Sequence, residues 1–140
     1  MSKTDPITAH ILDTNTGTPA SQVIVQLYTT SQNSTTEKDS LLVTSKPFAM
    51  AKTDNDGRIK TWSFDPDIDY KTTGIVNNEW EHLIPGVYKA KFLTGKYFKN
   101  KGSDSFFPFV EIFFEIDDPK KHYHIPLLLS NYSYTTYRGS

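Results

Sequence analysis

Ile7-Thr8-Ala9-His10-Ile11-Leu12 alternates residue by residue, with Ile7, Ala9 and Ile11 on one face of an extended segment and Thr8, His10 and Leu12 on the other. A period of two is the mark of a half-buried strand, not of a helix. Outward from this stretch the pattern repeats. Asp13-Thr14-Asn15-Thr16-Gly17-Thr18-Pro19 is dense in turn formers, and Val23-Ile24-Val25-Gln26-Leu27-Tyr28 is β-branched and aromatic, a second strand. Residues 29–39 are polar and small and read as an exposed loop, and Leu41 to Lys52 holds another strand interrupted at Pro47. Thr53-Asp54-Asn55-Asp56-Gly57-Arg58 is a turn in which Gly57 can take a positive φ. Pro85-Gly86 feeds a strand over Val87 to Leu93 that does not sort onto one clean face. Thr94 to Asn100 is the one plausible helix, stopped by Gly102. Phe109 to Ile116 is a strand ended by Asp117-Asp118-Pro119, and His122 through Leu129 is another. A turn at Ser130-Asn131 then leads to a final strand from about Tyr132. Seven or eight short strands with turn signals between them indicate an all-β sandwich, as a single domain over residues 1–140 without internal repeats.

Composition narrows the function classes. The chain has 140 residues, and the 19 aromatics (9 Phe, 8 Tyr, 2 Trp) supply large core areas. Fifteen Lys and Arg against sixteen Asp and Glu give a net charge of −1, without the basic excess of a nucleic-acid binder. No apolar run approaches the roughly 18 residues of a membrane span. Met1 to Pro6 lacks the apolar core of a secretory signal. Cysteine is absent, which removes disulfides, thiol catalysis and cysteine metal sites. The default compartment is the cytosol. The peroxisome is an alternative that Arg138-Gly139-Ser140, unlike Ser-Lys-Leu, does not signal.

The remaining chemistry rests on histidine, carboxylate, arginine, lysine, serine and tyrosine. His10 sits mid-strand on the face opposite Ile7, Ala9 and Ile11; a lone strand histidine is more often an ordinary polar group than a functional one. Alternation places His122 and His124 on one face, about 7 Å apart along the strand. With His10 they form the one conceivable metal set, although no Asp or Glu stands at a supporting spacing. Arg58 follows the Asp-Gly turn and offers a planar cation for a carboxylate, urea or enolate-like group. Asp54-Asn55-Asp56-Gly57 is not a calcium loop, because Lys52 and Ser63 stand where that pattern needs acids. Neither a glycine-rich phosphate loop nor a Gly-x-Ser-x-Gly elbow occurs.

Taken together, Ala9-His10-Ile11-Leu12-Asp13-Thr14, Gly17-Thr18-Pro19-Ala20, Thr53 to Arg58, Gly86-Val87-Tyr88 and Phe106-Phe107-Pro108 resemble the 5-hydroxyisourate hydrolase family, the transthyretin-related proteins. The ending is the strongest match: His122-Tyr123-His124-Ile125-Pro126-Leu127-Leu128-Leu129-Ser130, then Tyr134 through Tyr137-Arg138-Gly139-Ser140. The resemblance implies a transthyretin-like β-sandwich of about eight strands with one short helix. It further implies a homotetramer, a dimer of dimers with active sites in the channel between dimers. The implied activity is hydrolysis of the small molecule 5-hydroxyisourate without a cofactor or metal. By the same resemblance His10, Arg58 and His124 are catalytic, and Tyr137, Arg138, Gly139 and Ser140 line the substrate site. His122 belongs to the motif as a supporting residue. Transthyretins carry other residues at the His10, Arg58, His124 and Tyr137 positions and lack the Tyr-Arg-Gly-Ser ending. Departures from the family pattern fall in predicted loops: a long stretch over 29–50, an extension around Asn77 to Trp80, and Asn131 in place of a proline. Two alternatives stand beside this reading, a transthyretin-like carrier of a small aromatic ligand and a zinc hydrolase built on His10, His122 and His124.

Overall fold

The fold is taken from a computed structural model, which describes residues 3–31 and 41–139. Along the chain run β1 (Ile7–Asp13), β2 (Thr18–Pro19), β3 (Ile24–Thr29), β4 (Ala49–Lys52), β5 (Arg58–Ile59) and β6 (Ser63–Phe64). There follow α1 (Tyr70–Thr73), β7 (Ile75–Val76), β8 (Glu79–Trp80), β9 (Gly86–Phe92), α2 (Thr94–Asn100), β10 (Val110–Ile116), β11 (Tyr123–Leu129) and β12 (Tyr134–Thr136). One five-stranded sheet has the order β12-β11-β1-β2, with β5 also pairing β1; the second has the order β10-β9-β3-β4-β6. β7 and β8 form a separate hairpin. The class is all-β, as the alternation at Ile7 to Leu12 implies. The strand count exceeds eight because five elements are two-residue pairings.

Each sheet buries one face against the other. Ile7, Ala9 and Ile11 of β1 and Tyr123, Ile125, Leu127 and Leu129 of β11 share one core with Val25, Leu27, Tyr88, Ala90 and Phe92 of the second sheet. That core resolves the ambiguous register of β9. Tyr88, Ala90 and Phe92 turn inward, while Lys89 turns out to pair with Glu111 at 2.8 Å and to sit over the Tyr28 ring. β1 and β11 run parallel, in a register that sets Thr8 opposite His124 and His10 opposite Pro126. The short β5 runs antiparallel to β1 and sets Arg58 opposite His10. These two pairings bring distant parts of the chain to one sheet face.

α2 matches the expected helix, and its anchor is electrostatic. Asp13, buried at the end of β1, accepts from the Tyr97 hydroxyl at 2.8 Å, from Lys101 Nζ at 3.2 Å and from the Asn15 N–H at 3.0 Å. Burial raises the pKa of this carboxyl, but the Tyr97, Lys101 and Asn15 donors outweigh it and hold the group below its ordinary value. Asp13→Asn is therefore expected to cost about 1.5–3 kcal/mol at neutral pH, the range for hydrogen bonds to a charged group, read by urea unfolding. Because the folded-state pKa is depressed, this advantage is full above the ordinary carboxylate pKa. It fades as pH falls through the lower folded value.

α1 is a one-turn helix that the sequence reading did not anticipate. Asp69 caps its start through the Lys71 N–H, and Gly74 ends it in the left-handed region. The extension around Asn77 and Asn78 is the turn of the β7–β8 hairpin, with both residues at positive φ (54° and 60°), the conformation that two-residue type I′ turns demand. Asn131 earns its place beyond Leu129 by bonding: its side chain donates to Ser103 Oγ and the Asp104 carbonyl and accepts from Asn15 Nδ2. Among the described residues no helix is long and apolar enough to cross a membrane.

Candidate active site

The outer face of the first sheet carries the polar constellation. Thr8 and His10 project from β1 on the side opposite the core residues Ile7, Ala9 and Ile11, and His124 projects from β11 between the buried Tyr123 and Ile125. Arg58 opens β5, placed by a closed turn. Asp54 Oδ1 accepts from the Asp56 and Arg58 N–H groups, both at 2.9 Å, and Gly57 donates to the Asp54 carbonyl. The Gly57 carbonyl in turn accepts from Ile11 N at 2.8 Å, which stitches the turn to β1. Asp5 braces the following segment, accepting from Trp62 N while its own N–H donates to the Lys60 carbonyl.

An open cleft of about 370 Å³ lies on this face, lined by Thr4, Thr8, Arg58, Lys60, His122 and His124 among others. The His10 and His124 rings are 6.4 Å apart between centroids and tilted by 33°. His122 precedes β11 and stacks beside His124, also at 6.4 Å, with an interplanar angle of 23°. Thr8 Oγ1 lies between these two rings, 2.7 Å from His124 Nδ1 and 3.1 Å from His122 Nε2.

The electrostatics favour the neutral form of both central imidazoles. Burial, and after it the Arg58 cation, pushes His10 down, against the pull of the Asp54 and Asp56 charges. His124 is lowered by burial, then by Arg58, then by its two histidine neighbours. A neutral imidazole offers one nitrogen as base and the other as donor, and the lowered pKa preserves that state to lower pH than an ordinary histidine allows. Arg58→Gln removes the cation and is expected to move both titrations upward, towards the unperturbed value. Ring-proton NMR of the parent protein and of Arg58→Gln measures this directly, and unchanged His10 and His124 titrations would rule Arg58 out as a neighbour of either ring.

The C-terminal tail runs back along β11. Gly139 N–H donates to the His124 carbonyl at 3.1 Å, and a Cβ on Gly139 would stand 2.5 Å from His124 Cδ2, so the tail abuts the His124 ring. Arg138 lies over the Tyr123 ring, 4.9 Å from its centroid, and Tyr137 is 57% exposed. Within one chain, therefore, the tail meets His124 through Gly139, while neither His10 nor Tyr137, Arg138 or Gly139 is among the residues lining the cleft; Ser140 lies outside the described residues. Of the residues expected from the sequence to be catalytic, His10, Arg58 and His124 gather on one face. Thr8, Thr4 and Lys60 line the cleft and were not singled out. The signal for Thr8 was its place beside His10 on the polar face of the first strand. Among the described residues, no three His, Asp or Glu side chains stand where they could hold a metal ion together. His122 Nε2 and His124 Nδ1 are both engaged by the Thr8 hydroxyl.

Comparison with known proteins places the chain in a family. The model of the HIUase/Transthyretin family matches residues 7–139. The 5-hydroxyisourate hydrolase of Salmonella dublin is 38% identical over 135 residues, covering 96% of this chain and 80% of the relative. The solved 5-hydroxyisourate hydrolase of Klebsiella pneumoniae superposes with a TM-score of 0.64 at 32% identity, covering 96% of this chain and 98% of its own. Transthyretin from Sparus aurata superposes with a TM-score of 0.68 at 28% identity, covering 96% of each chain.

Proposed function

The chain belongs to the HIUase/Transthyretin family, and from that membership together with its cleft we propose that it hydrolyses 5-hydroxyisourate to 2-oxo-4-hydroxy-4-carboxy-5-ureidoimidazoline, a step of urate degradation. The observation that carries this reading is the meeting of His10, His124 and Arg58 on one sheet face, in a chain whose relatives over nearly its whole length are named for that activity. Water adds to a lactam carbonyl of the six-membered ring, and the C–N bond breaks. Three groups are needed: a base for the water, a cation for the developing oxyanion, and an acid for the leaving nitrogen. His10 and His124 supply the proton transfers, since burial and Arg58 favour the neutral form of both. Arg58 supplies the cation, because its guanidinium presents a fork of donors to the polar edge of the substrate and stays charged throughout. Tyr137, Arg138, Gly139 and Ser140 hold the substrate. Gly139 abuts the His124 ring, and Tyr137 offers a ring and a hydroxyl to the flat heterocycle.

The cleft is open on its outer side, and we infer that a second copy of the chain closes it. We infer a homotetramer, a dimer of dimers, with the sites in the channel between dimers. β10 and β12 end their sheets, and exposed aromatics cluster at those ends, among them Phe113, Tyr134 and Tyr137. Light scattering that returns a stable monomer would remove this part of the reading.

The deciding experiment generates the substrate in place with urate oxidase and follows the loss of its ultraviolet absorbance. Catalysis accelerates that decay in proportion to protein; decay at the uncatalysed rate ends the hydrolase reading. The likeness to Sparus aurata transthyretin keeps a carrier as the second reading. A carrier of an aromatic ligand needs a mostly apolar cleft, whereas Arg58, Lys60, His122 and His124 line this one. Tight binding of a thyroxine-like ligand without turnover would reverse the order of the two.

A further inference from the structure

A hydroxyl buried between two imidazoles has to choose between them. Thr8 is 5% exposed, and its Oγ1 touches His124 Nδ1 at 2.7 Å and His122 Nε2 at 3.1 Å, with no third partner for the hydroxyl among the described residues. A threonine hydroxyl gives one proton and accepts through its lone pairs, and a neutral imidazole carries one N–H. Thr8 therefore donates to one ring and accepts from the other when both contacts are hydrogen bonds. Two arrangements satisfy this. In one, His124 Nδ1–H donates to Thr8 and Thr8 donates to His122 Nε2, which leaves His124 Nε2 with a free lone pair. In the other, His122 Nε2–H donates to Thr8 and Thr8 donates to His124 Nδ1, which puts the His124 proton on Nε2.

Only the first arrangement lets His124 accept a proton. Its Nε2 is open, and when it is protonated the Nδ1–H···Oγ1 bond and the Oγ1–H···Nε2 bond to His122 both persist unchanged. In the second, Nε2 is already occupied, and Nδ1 is blocked by the Thr8 proton. We propose that Thr8 is a positioning residue that, with His122 as its acceptor, holds His124 in the Nδ1–H tautomer, so that His124 Nε2 is the base that activates the attacking water. This rests on the hydrolase reading above. The step balances: a water O–H bond breaks, its proton forms the Nε2–H bond, the oxygen bonds to the lactam carbon, and the carbonyl π pair moves onto the carbonyl oxygen beside Arg58. The proton is returned when the C–N bond breaks and the nitrogen leaves as N–H. Thr8 and His122 exchange no proton with substrate. Their part is to make the state of His124 single-valued before substrate arrives, as pre-organised sites require.

The relay follows from the fold. The parallel β1–β11 register places Thr8 opposite His124, and the near-parallel stack of His122 on His124 aligns the two ring nitrogens with one oxygen. His122 is exposed, so its far nitrogen reaches solvent and needs no further protein partner.

Thr8→Val keeps the β-branched shape and deletes the hydroxyl; Thr8→Ser keeps the hydroxyl. With the urate oxidase assay, Thr8→Val is expected to lower kcat at least about tenfold, a part of what a general base supplies, with KM within about threefold. Thr8→Ser is expected to restore kcat to within about threefold of the parent protein. A purely structural role for Thr8 would move stability and KM without that split and without rescue. Independently of activity, ¹⁵N imidazole NMR of the unsubstituted protein is expected to report His124 as the Nδ1–H tautomer, and Thr8→Val to lose that single tautomer. Thr8→Val with unchanged kcat, or His124 carrying its proton on Nε2, overturns the proposal. An unsubstituted protein without catalysis overturns the hydrolase reading instead, and the tautomer measurement still decides whether the relay exists.

Discussion

His124→Ala is expected to lower kcat for 5-hydroxyisourate by about 10²–10⁴-fold, the contribution of a positioned acid or base, while the purified protein keeps its β-sheet circular dichroism and its assembly state. The fold has little to lose at this position. The His124 side chain sits on the outer face of β11, half-buried, whereas its neighbours Tyr123 and Ile125 carry the core contacts. Its side-chain partners are Thr8 and the two flanking histidines, all belonging to the site, while Gly139 bonds the His124 main-chain carbonyl, which the substitution keeps. His10→Ala is expected to fall in the same range, and Arg58→Ala to cost about 10²–10³-fold, the usual loss when one donor to a developing oxyanion is removed. Because the proposed reaction uses all three groups at once, the His10→Ala/His124→Ala double variant is expected to lose less than the product of the single losses. Steady-state rates with substrate made in place measure all four. A His124→Ala protein that keeps more than about a tenth of the parent kcat takes its imidazole out of the proton transfers altogether.

The acid limb of the same rates tests the electrostatics. Both histidines have lowered pKa values, so the neutral pair and the rate survive to a pH below the ordinary histidine range. The same shifts have a cost in stability with a definite sign. The unfolded chain binds protons at these two positions first, so folding stability declines as pH falls from the unfolded histidine pKa towards the lower folded ones.

What was legible in the sequence follows physical lines. Long strands with one buried face announce themselves by alternation, as β1 does through Ile7, Ala9 and Ile11. β9 resisted because Lys89 and Lys91 interleave with Tyr88, Ala90 and Phe92, and a bare pattern does not say that Lys89 stretches over Tyr28 to reach Glu111. Two-residue strands such as β5 have no period to read. α1 spans a single turn with no apolar stripe, and only its caps, Asp69 and Gly74, mark it. The family resemblance, not residue chemistry alone, pointed to His10, Arg58 and His124, and their convergence depends on two pairings, β1 with β11 and β1 with β5, between segments far apart in sequence. Thr8 was hidden by being ordinary, since threonine suits any strand. Its role emerges only from the parallel register that sets it opposite His124.

Gly57→Ala is expected to damage stability and catalysis together, and Gly17→Ala only stability. Both glycines hold a left-handed backbone, with φ of 73° and 70°. An L-residue pays about 1–2 kcal/mol for that conformation, and for Gly17 that is the whole effect, because an added Cβ meets nothing within 4 Å. At Gly57 the Cβ would stand 2.4 Å from the Ile11 carbonyl oxygen and 3.1 Å from Pro19 Cβ. The Ile11 carbonyl is backbone in the central strand of its sheet, where it accepts from Ala20 N, and it cannot swing aside as a side chain would. The turn must move instead, and what moves with it is the next residue, Arg58, together with the Ile11 N–H to Gly57 carbonyl bond that holds β5 against β1. A displacement of about 1 Å in a positioned group is enough to cost about 10²-fold in rate. The expected results are thus a Gly17→Ala protein with lowered unfolding free energy and the parent kcat, and a Gly57→Ala protein with a larger stability loss and kcat down by about 10²-fold. Equal stability losses in the two variants would mean that the turn relaxes without disturbing β1. A Gly57→Ala protein at full activity would mean that the position of Arg58 is not what the chemistry depends on.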